Sequence, residues 1–99
     1  MLSPDVITML TCRVCTSYGV DAPLLWRYHT VAHIQARTLI LCMATACGFS
    51  QADLRRYFHR PLRPKLFRTA AISHRHWMEN DAAYQRCFMD TEAHMTCLA

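Results

Sequence analysis

Apolar residues recur every three or four positions along most of the chain, the spacing that places side chains on one face of an α-helix. A first helix is predicted to begin at Ser3 and Pro4, because serine caps helices and proline suits their first turn. Gly19 is expected to end it. The apolar face of this helix carries Ile7, Leu10, Val14 and Tyr18.

The next segments predict a short helix, a loop and then the longest helix of the chain. Residues 21–25 have the short helix pattern, with Pro23 near its start, and residues 26–30 are predicted as loop. The long helix is predicted over residues 31–47 and is expected to end at Gly48. Its apolar stripe consists of Ala36, Leu39, Ile40, Met43, Ala44 and Cys47.

The second half of the chain predicts a short helix followed by two longer ones. Ser50 and Asp53 have capping-box spacing, so a helix should begin there and end near Phe58, with Arg55 and Arg56 pointing into solvent. After a connection at residues 59–63, a proline starts a helix that reaches about residue 78, with a buried stripe of Phe67, Ala70, Ala71, His74 and Trp77. Asn80 or Asp81 should cap the last helix, whose apolar stripe is Tyr84, Cys87, Phe88, Thr91, Met95 and Leu98.

The composition agrees with one all-α domain of five or six helices, spanning residues 1–99 and containing a helix-turn-helix. An apolar fraction of 53% can form one modest core, and only two glycines argue against a loop-rich or β-rich chain. The longest apolar run, residues 39–46, is far short of the roughly 20 residues that a membrane span needs. No signal-peptide pattern is present, so a cytoplasmic location without membrane contact is expected.

Catalysis and cofactor binding are not predicted. The chain shows no Ser/His/Asp set, no carboxylate pair, no glycine-rich phosphate loop and no zinc-protease motif. The six cysteines are interpreted mainly as core residues, since buried free cysteine behaves as a small apolar side chain. The alternative is half of a zinc site at Cys12 and Cys15, completed by His74 and His76, although no second pair has zinc-finger spacing. We therefore expect no metal and no disulfide.

Charge is strongly segregated along the chain. Residues 54–78 contain seven bases and no acid, a formal charge of +7, while the other segments, with four bases and seven acids, carry −3. Such a block is typical of a surface that binds a polyanion, and the alternative is a solvated basic surface with no partner. In a helix-turn-helix the second helix enters the major groove, so base edges would be contacted by Arg63, Lys65, Arg68 and Thr69. Phosphates would be neutralised by Arg55, Arg56 and Arg60.

Seven short motifs, spread over nearly the whole chain, resemble one family. They are Val6-Ile-Thr8, Tyr18-Gly-Val20, Leu24-Leu25 with Trp26-Arg-Tyr-His29, Ala36-Arg37, Phe49-Ser-Gln-Ala-Asp-Leu54, Phe58-His-Arg60 and Asn80-Asp-Ala-Ala-Tyr84. In this order they are similar to the C-terminal DNA-binding domain of the bacterial replication initiator DnaA. The resemblance implies a six-helix domain with a Trp-repressor-like helix-turn-helix, and a basic loop in which Arg27 and His29 contact DNA.

The departures from this family change the expected function. Arg60-Pro-Leu-Arg-Pro-Lys65 stands where the family has Arg-Asp-His-Thr-Thr, so the initiator's target sequence should not carry over. No ATPase module accompanies the domain, which excludes a replication initiator. The expected protein is a bacterial or phage transcription regulator that binds double-stranded DNA, with the transcription machinery or another domain of a longer chain as further partner.

The competing hypothesis is a protein-interaction module on the same fold that has lost DNA binding. Loss of the family's reading residues agrees with it. Its contact surface would be an apolar patch of Ile72 with two aromatic side chains predicted to be exposed, Trp26 and Tyr28.

Overall fold

The computed structural model describes residues 3–98, with side chains through Met95. In that range it contains five α-helices and no strand, which confirms the all-α prediction. The helices are α1 (Pro4–Tyr18), α2 (Val31–Ala46), α3 (Gln51–Phe58), α4 (Pro64–Asn80) and α5 (Ala82–Leu98), and the predicted short helix is a single 3-10 turn, Ala22–Leu24. None of the helices in the described range is long and apolar enough to cross a bilayer.

Local hydrogen bonds explain where the helices begin and end. The Ser3 hydroxyl accepts a hydrogen bond from the Asp5 amide at 3.2 Å, so α1 begins where it was predicted. At α3 the Asp53 amide donates to the Ser50 hydroxyl at 3.0 Å, and the Ser50 amide donates to the Asp53 carboxylate at 2.9 Å. Gly19 follows α1 in the left-handed conformation, φ 65°, that glycine adopts without strain.

Helix α2 lies at the centre of the domain and packs mainly against α1 and α4. The prediction that it is the longest helix is wrong, since it has 16 residues and α4 and α5 have 17 each. Its predicted stripe is buried as far as Ala44, but Gln35, Thr38 and Leu41 are buried as well. A helix covered by neighbours on several sides buries more than one stripe, which a single-face pattern underestimates. The prediction that Cys47 belongs to the buried stripe is wrong, because this residue is the cap that follows the helix and is exposed.

The turn between α4 and α5 is tied to α2 by a buried polar contact. Asp81 caps α5 by accepting a hydrogen bond from the Tyr84 amide at 3.0 Å, so the second of the two predicted caps is confirmed. Its other oxygen accepts from Nε2 of the buried Gln35 at 2.9 Å. Helices α4 and α5 are also joined by a hydrogen bond of 2.7 Å between His74 Nδ1 and the hydroxyl of Tyr84, whose side chain is fully buried.

The last two helices bury somewhat less than predicted. On α4 the predicted stripe is wrong at Ala71, which is exposed, and Phe67, His74 and Trp77 are half-buried. On α5, Tyr84, Cys87 and Thr91 are buried and Phe88 and Met95 are half-buried, while the Leu98 side chain lies outside the described part. The incomplete burial reflects an open cleft between these helices and α2.

The cysteines divide into core and surface residues. Cys15 and Cys87 are buried and Cys42 is half-buried, and burial raises the pKa of the Cys15 and Cys42 thiols to about 11. The core prediction is wrong for Cys12 and Cys47, which lie on exposed sides of their segments. These five are free thiols, and Cys97 lies outside the described side chains. Among the described residues no three His, Cys, Asp or Glu side chains are grouped so that they could hold a metal ion.

We predict that the domain loses stability between pH 7 and pH 5 because of His74. Burial lowers the pKa of His74, so position 74 is protonated in the unfolded chain near the ordinary histidine pKa of about 6.5 and in the folded chain only at lower pH. As the pH falls below that value, the unfolded state binds more protons and the free energy of unfolding decreases. The melting temperature should therefore fall over this range, and should fall less in His74→Asn, whose amide cannot be protonated.

His59→Asn is the matched control. His59 is exposed and has a left-handed backbone, φ 53°, which asparagine tolerates, so this variant should keep the wild-type pH dependence. Hydrogen bonds lower the pKa of Asp53 and Asp81 from 3.8, so these carboxylates reduce stability only below about pH 5. Equal pH dependence of the melting temperature in wild type and His74→Asn would contradict the assignment.

Candidate nucleic-acid interface

Arg37 organises the loop that precedes α2. It is the only Arg, Lys, Asp or Glu residue on that helix. Its Nη1 donates hydrogen bonds to the carbonyl oxygens of Leu25 at 3.3 Å and Tyr28 at 3.0 Å, and its Nη2 donates to His29 Nδ1 at 3.1 Å. One guanidinium therefore holds three positions of the loop, using the fork of donors that a lysine lacks.

Trp26 links this loop to the connection between α3 and α4. The Cζ atoms of Arg37 and Arg60 lie 5.6 and 5.9 Å from the centroid of the Trp26 ring, within the range of cation–π contacts. The ring of Phe58 meets the indole edge-on at 5.3 Å. Trp26 is consequently half-buried, so the prediction that it is an exposed aromatic is wrong.

The two arginines at Trp26 form a like-charged pair without a counter-ion. Among the described residues, neither Arg37 nor Arg60 forms an ion pair with a carboxylate. The pKa of Arg37 is lowered by burial and, to a smaller extent, by the positive charge of Arg60. Arg37 nevertheless keeps its charge, since the ordinary pKa of arginine lies far above neutral pH. An anion bound close to this pair would stabilise it.

Arg55 has a structural role, and the prediction that it points into solvent is wrong. Its Nε donates to the Leu62 carbonyl at 2.5 Å, and its Nη2 donates to Gln51 Oε1 at 3.1 Å. Its Cζ lies 6.0 Å from the ring centroid of Phe67. The side chain is half-buried because it braces the connection between α3 and α4, so most of its donors are already used.

The other basic side chains of this region are exposed as predicted. Arg56 forms only a surface ion pair with Asp53, at 3.5 Å, the kind that contributes little to stability. Arg63 is the extended N-cap of α4 and has no capping side-chain hydrogen bond. The first turns of α4 then present to solvent, on one face by helical spacing, Lys65, Arg68 and Thr69.

The loop contributes two more exposed side chains. Arg27 is exposed, with its Cζ 5.8 Å from the ring centroid of Tyr28. His29 is also exposed, and its Nδ1 accepts the hydrogen bond from Arg37, which leaves Nε2 as the donor of the neutral ring. The contacts at Trp26 bring this loop and Arg60 together, as a common binding surface requires.

Arg37 is absent from the predicted site residues, although the sequence contains a sign of its importance. A single ionised residue on an otherwise apolar helix must find polar partners, because a buried charge without them is costly. The loop rich in aromatic and basic residues just before α2 is the obvious place for those partners.

We predict that Arg55→Ala destabilises the domain and Arg56→Ala does not. Removing Arg55 leaves the carbonyl of the buried Leu62 without its donor, which typically costs about 1–3 kcal/mol. Arg56 has only its surface ion pair to lose. Urea denaturation of both variants measures the difference, and equal midpoints would contradict the structural role of Arg55.

Comparisons of the chain with known protein families, with curated proteins and with solved structures find no match. The resemblance to DnaA therefore rests on its short sequence motifs. The described residues add exposed basic side chains on the loop, α3 and α4, next to an arginine pair that forms no ion pair with a described carboxylate.

Proposed function

We propose that this chain is a double-stranded DNA-binding domain of a transcription regulator, in which α3 and α4 act as a helix-turn-helix. The support is an eight-residue helix, a connection at residues 59–63 and a 17-residue helix that starts with exposed basic side chains. In such a motif the first helix crosses the phosphate backbone and the second enters the major groove. The proposed location of the protein is the cytoplasm of a bacterial or phage-infected cell, where it would meet double-stranded DNA.

The observation that carries this proposal is the pair of arginines on Trp26. Arg37 comes from α2 and Arg60 from the α3–α4 connection, yet both lie within 6 Å of one indole ring. A DNA phosphate would be bound here by the exposed Arg60, since an arginine fork bonds phosphate oxygens with two parallel hydrogen bonds, while Arg37, whose Nη1 and Nη2 hold the loop, would add its positive charge. The phosphate would supply the negative charge that the described carboxylates do not.

The proposed interface then extends in two directions from this phosphate. Along α4, the positive end of the helix dipole adds to the attraction, and base edges are read by Arg63, Lys65, Arg68 and Thr69. On the side of the loop, Arg27 and His29 contact the DNA backbone or the DNA minor groove. Arg56 neutralises a further phosphate, while Arg55 serves mainly to position the connection.

A protein-interaction role is the second candidate, and one observation favours it. Ile72 is 72% exposed on the α4 face that also carries Lys65 and Arg68, and Tyr28 is 45% exposed in the loop. An apolar contact centred on Ile72 would leave the basic residues as a polar rim. Such binding would depend weakly on salt, which separates it from the DNA proposal.

We predict that binding to duplex DNA weakens steeply with salt and that Arg60→Ala reduces this dependence. Each phosphate contact contributes about 0.9 to the slope of log affinity against log salt concentration. Fluorescence anisotropy with a labelled random duplex at several salt concentrations should therefore show the slope falling by about one in Arg60→Ala and in Arg56→Ala. Binding should weaken similarly for every duplex sequence.

Arg86→Ala is the matched control for this titration. Arg86 is an exposed arginine on α5, outside the proposed interface, so its removal changes the net charge equally and should leave the slope unchanged. Equal slopes in all three variants would assign Arg56 and Arg60 to a solvated surface. Absence of duplex binding at low salt would sink the DNA proposal as a whole.

We predict that Lys65 and Arg68 determine sequence preference. On the best duplex recovered from a random pool, Lys65→Ala or Arg68→Ala should cost about 1–3 kcal/mol, and much less on random DNA. Arg75→Ala, an exposed arginine farther along α4, is the control and should affect both duplexes alike. If every variant weakens selected and random DNA equally, the domain binds only the backbone or reads DNA shape.

A further inference from the structure

An apolar cleft of about 860 Å³ opens between α1, α2, α4 and α5, with Gln51 of α3 at its border. It borders the core, because Leu41, Met43 and Ala70 belong to both, while other parts of its wall are only half-buried or exposed. Sulfur and aromatic side chains dominate that wall, with Met9 from α1, Met43 from α2, Phe67 from α4, and Phe88 and Met95 from α5. Methionine adapts its shape and makes favourable contacts with aromatic rings, so this lining suits a flat apolar molecule.

Among the described residues that line the cleft there is no lysine or arginine that would neutralise a negatively charged ligand, and Glu92 is acidic. The guanidinium of Arg55, which lies against the lining residue Phe67, is already used to brace the α3–α4 connection, and burial lowers the pKa of the lining histidine, His74. The Cys42 thiol also stays protonated, since burial raises its pKa to about 11. A carboxylate or sulfonate buried here would have no cationic partner, which makes its burial costly.

The dimensions favour a small molecule over a partner helix. Ligand pockets typically enclose about 300–1,000 Å³, and this cleft lies within that range. A helix is about 10 Å across, so the same volume would hold roughly two turns, fewer than a helix-in-groove contact uses. The four surrounding helices also make the surface concave, whereas interfaces between copies of a chain are larger and flatter.

We infer that this cleft binds an uncharged, predominantly aromatic small molecule of two or three rings. The inference does not rest on DNA binding, because the cleft involves the side of α4 that carries Phe67 and His74, whereas Lys65 and Arg68 lie on its exposed side. Bound there, the ligand would contact α2 and α4 together and fill the space between them.

The test is a fluorescence titration of the full chain with N-phenyl-1-naphthylamine, an uncharged two-ring probe with an additional phenyl group. We expect saturable binding of one probe per chain in the micromolar range. Ala71→Phe places a ring in the cleft from α4 and should weaken binding at least tenfold. Ala46→Phe should do the same from the α2 side, which keeps the test valid if one variant fails to fold. Ala83→Phe, at an exposed alanine outside the cleft, should bind like wild type.

A charged analogue of the probe tests the inference that the ligand is uncharged. 8-Anilinonaphthalene-1-sulfonate has nearly the same rings with one added negative charge, and it should bind at least tenfold more weakly. Three results would overturn the proposal: no saturation by the neutral probe, equal binding by the folded Phe variants and wild type, or equal affinity for the sulfonate. Binding that occurs only in a dimer, detected by sedimentation, would assign the cleft to self-association instead.

Discussion

Burial of α2 on several sides is the constraint from which most of this structure follows. A helix with eight buried residues has to be surrounded, and α1 and α4 supply its two main contacts. The only ionised residue on α2, Arg37, cannot be left in that environment without partners. Its side chain therefore lies against the loop, where it donates hydrogen bonds to two carbonyl oxygens and to His29 and makes a cation–π contact with Trp26. The shape of the loop is thus a consequence of packing the central helix.

Features set by neighbouring residues were predictable from the sequence. Helix α3 begins where Ser50 and Asp53 can exchange hydrogen bonds, and the extended residues before Pro64 lead into α4, because both effects act within one turn. The exposure of Lys65 and Arg68 follows from helical spacing in the same way. These are the parts of the candidate site that a sequence pattern can specify.

Features set by distant residues were not predictable. Gln35 is buried because Asp81, 46 positions later, accepts its hydrogen bond. Arg55 turns inward because the folded connection presents the Leu62 carbonyl to it. Trp26 is half-covered by two arginines, one on α2 and one after α3. In each case the position of a polar or aromatic side chain depends on a partner that only the tertiary structure brings close. The sequence therefore predicts the exposed basic residues of α4 but not the contacts of Trp26 with the two arginines.

The Trp26 arrangement has an evolutionary consequence. A lysine at position 37 could not bond two carbonyls and an imidazole at once, and a lysine at position 60 would stack less well on the indole. Arg56, by contrast, reaches solvent with a single surface ion pair, so lysine would serve there equally. Among descendants of this chain we therefore expect positions 26, 37 and 60 to change together or not at all. The exposed face of α4 would be free to diversify while the framework that presents it stays constant.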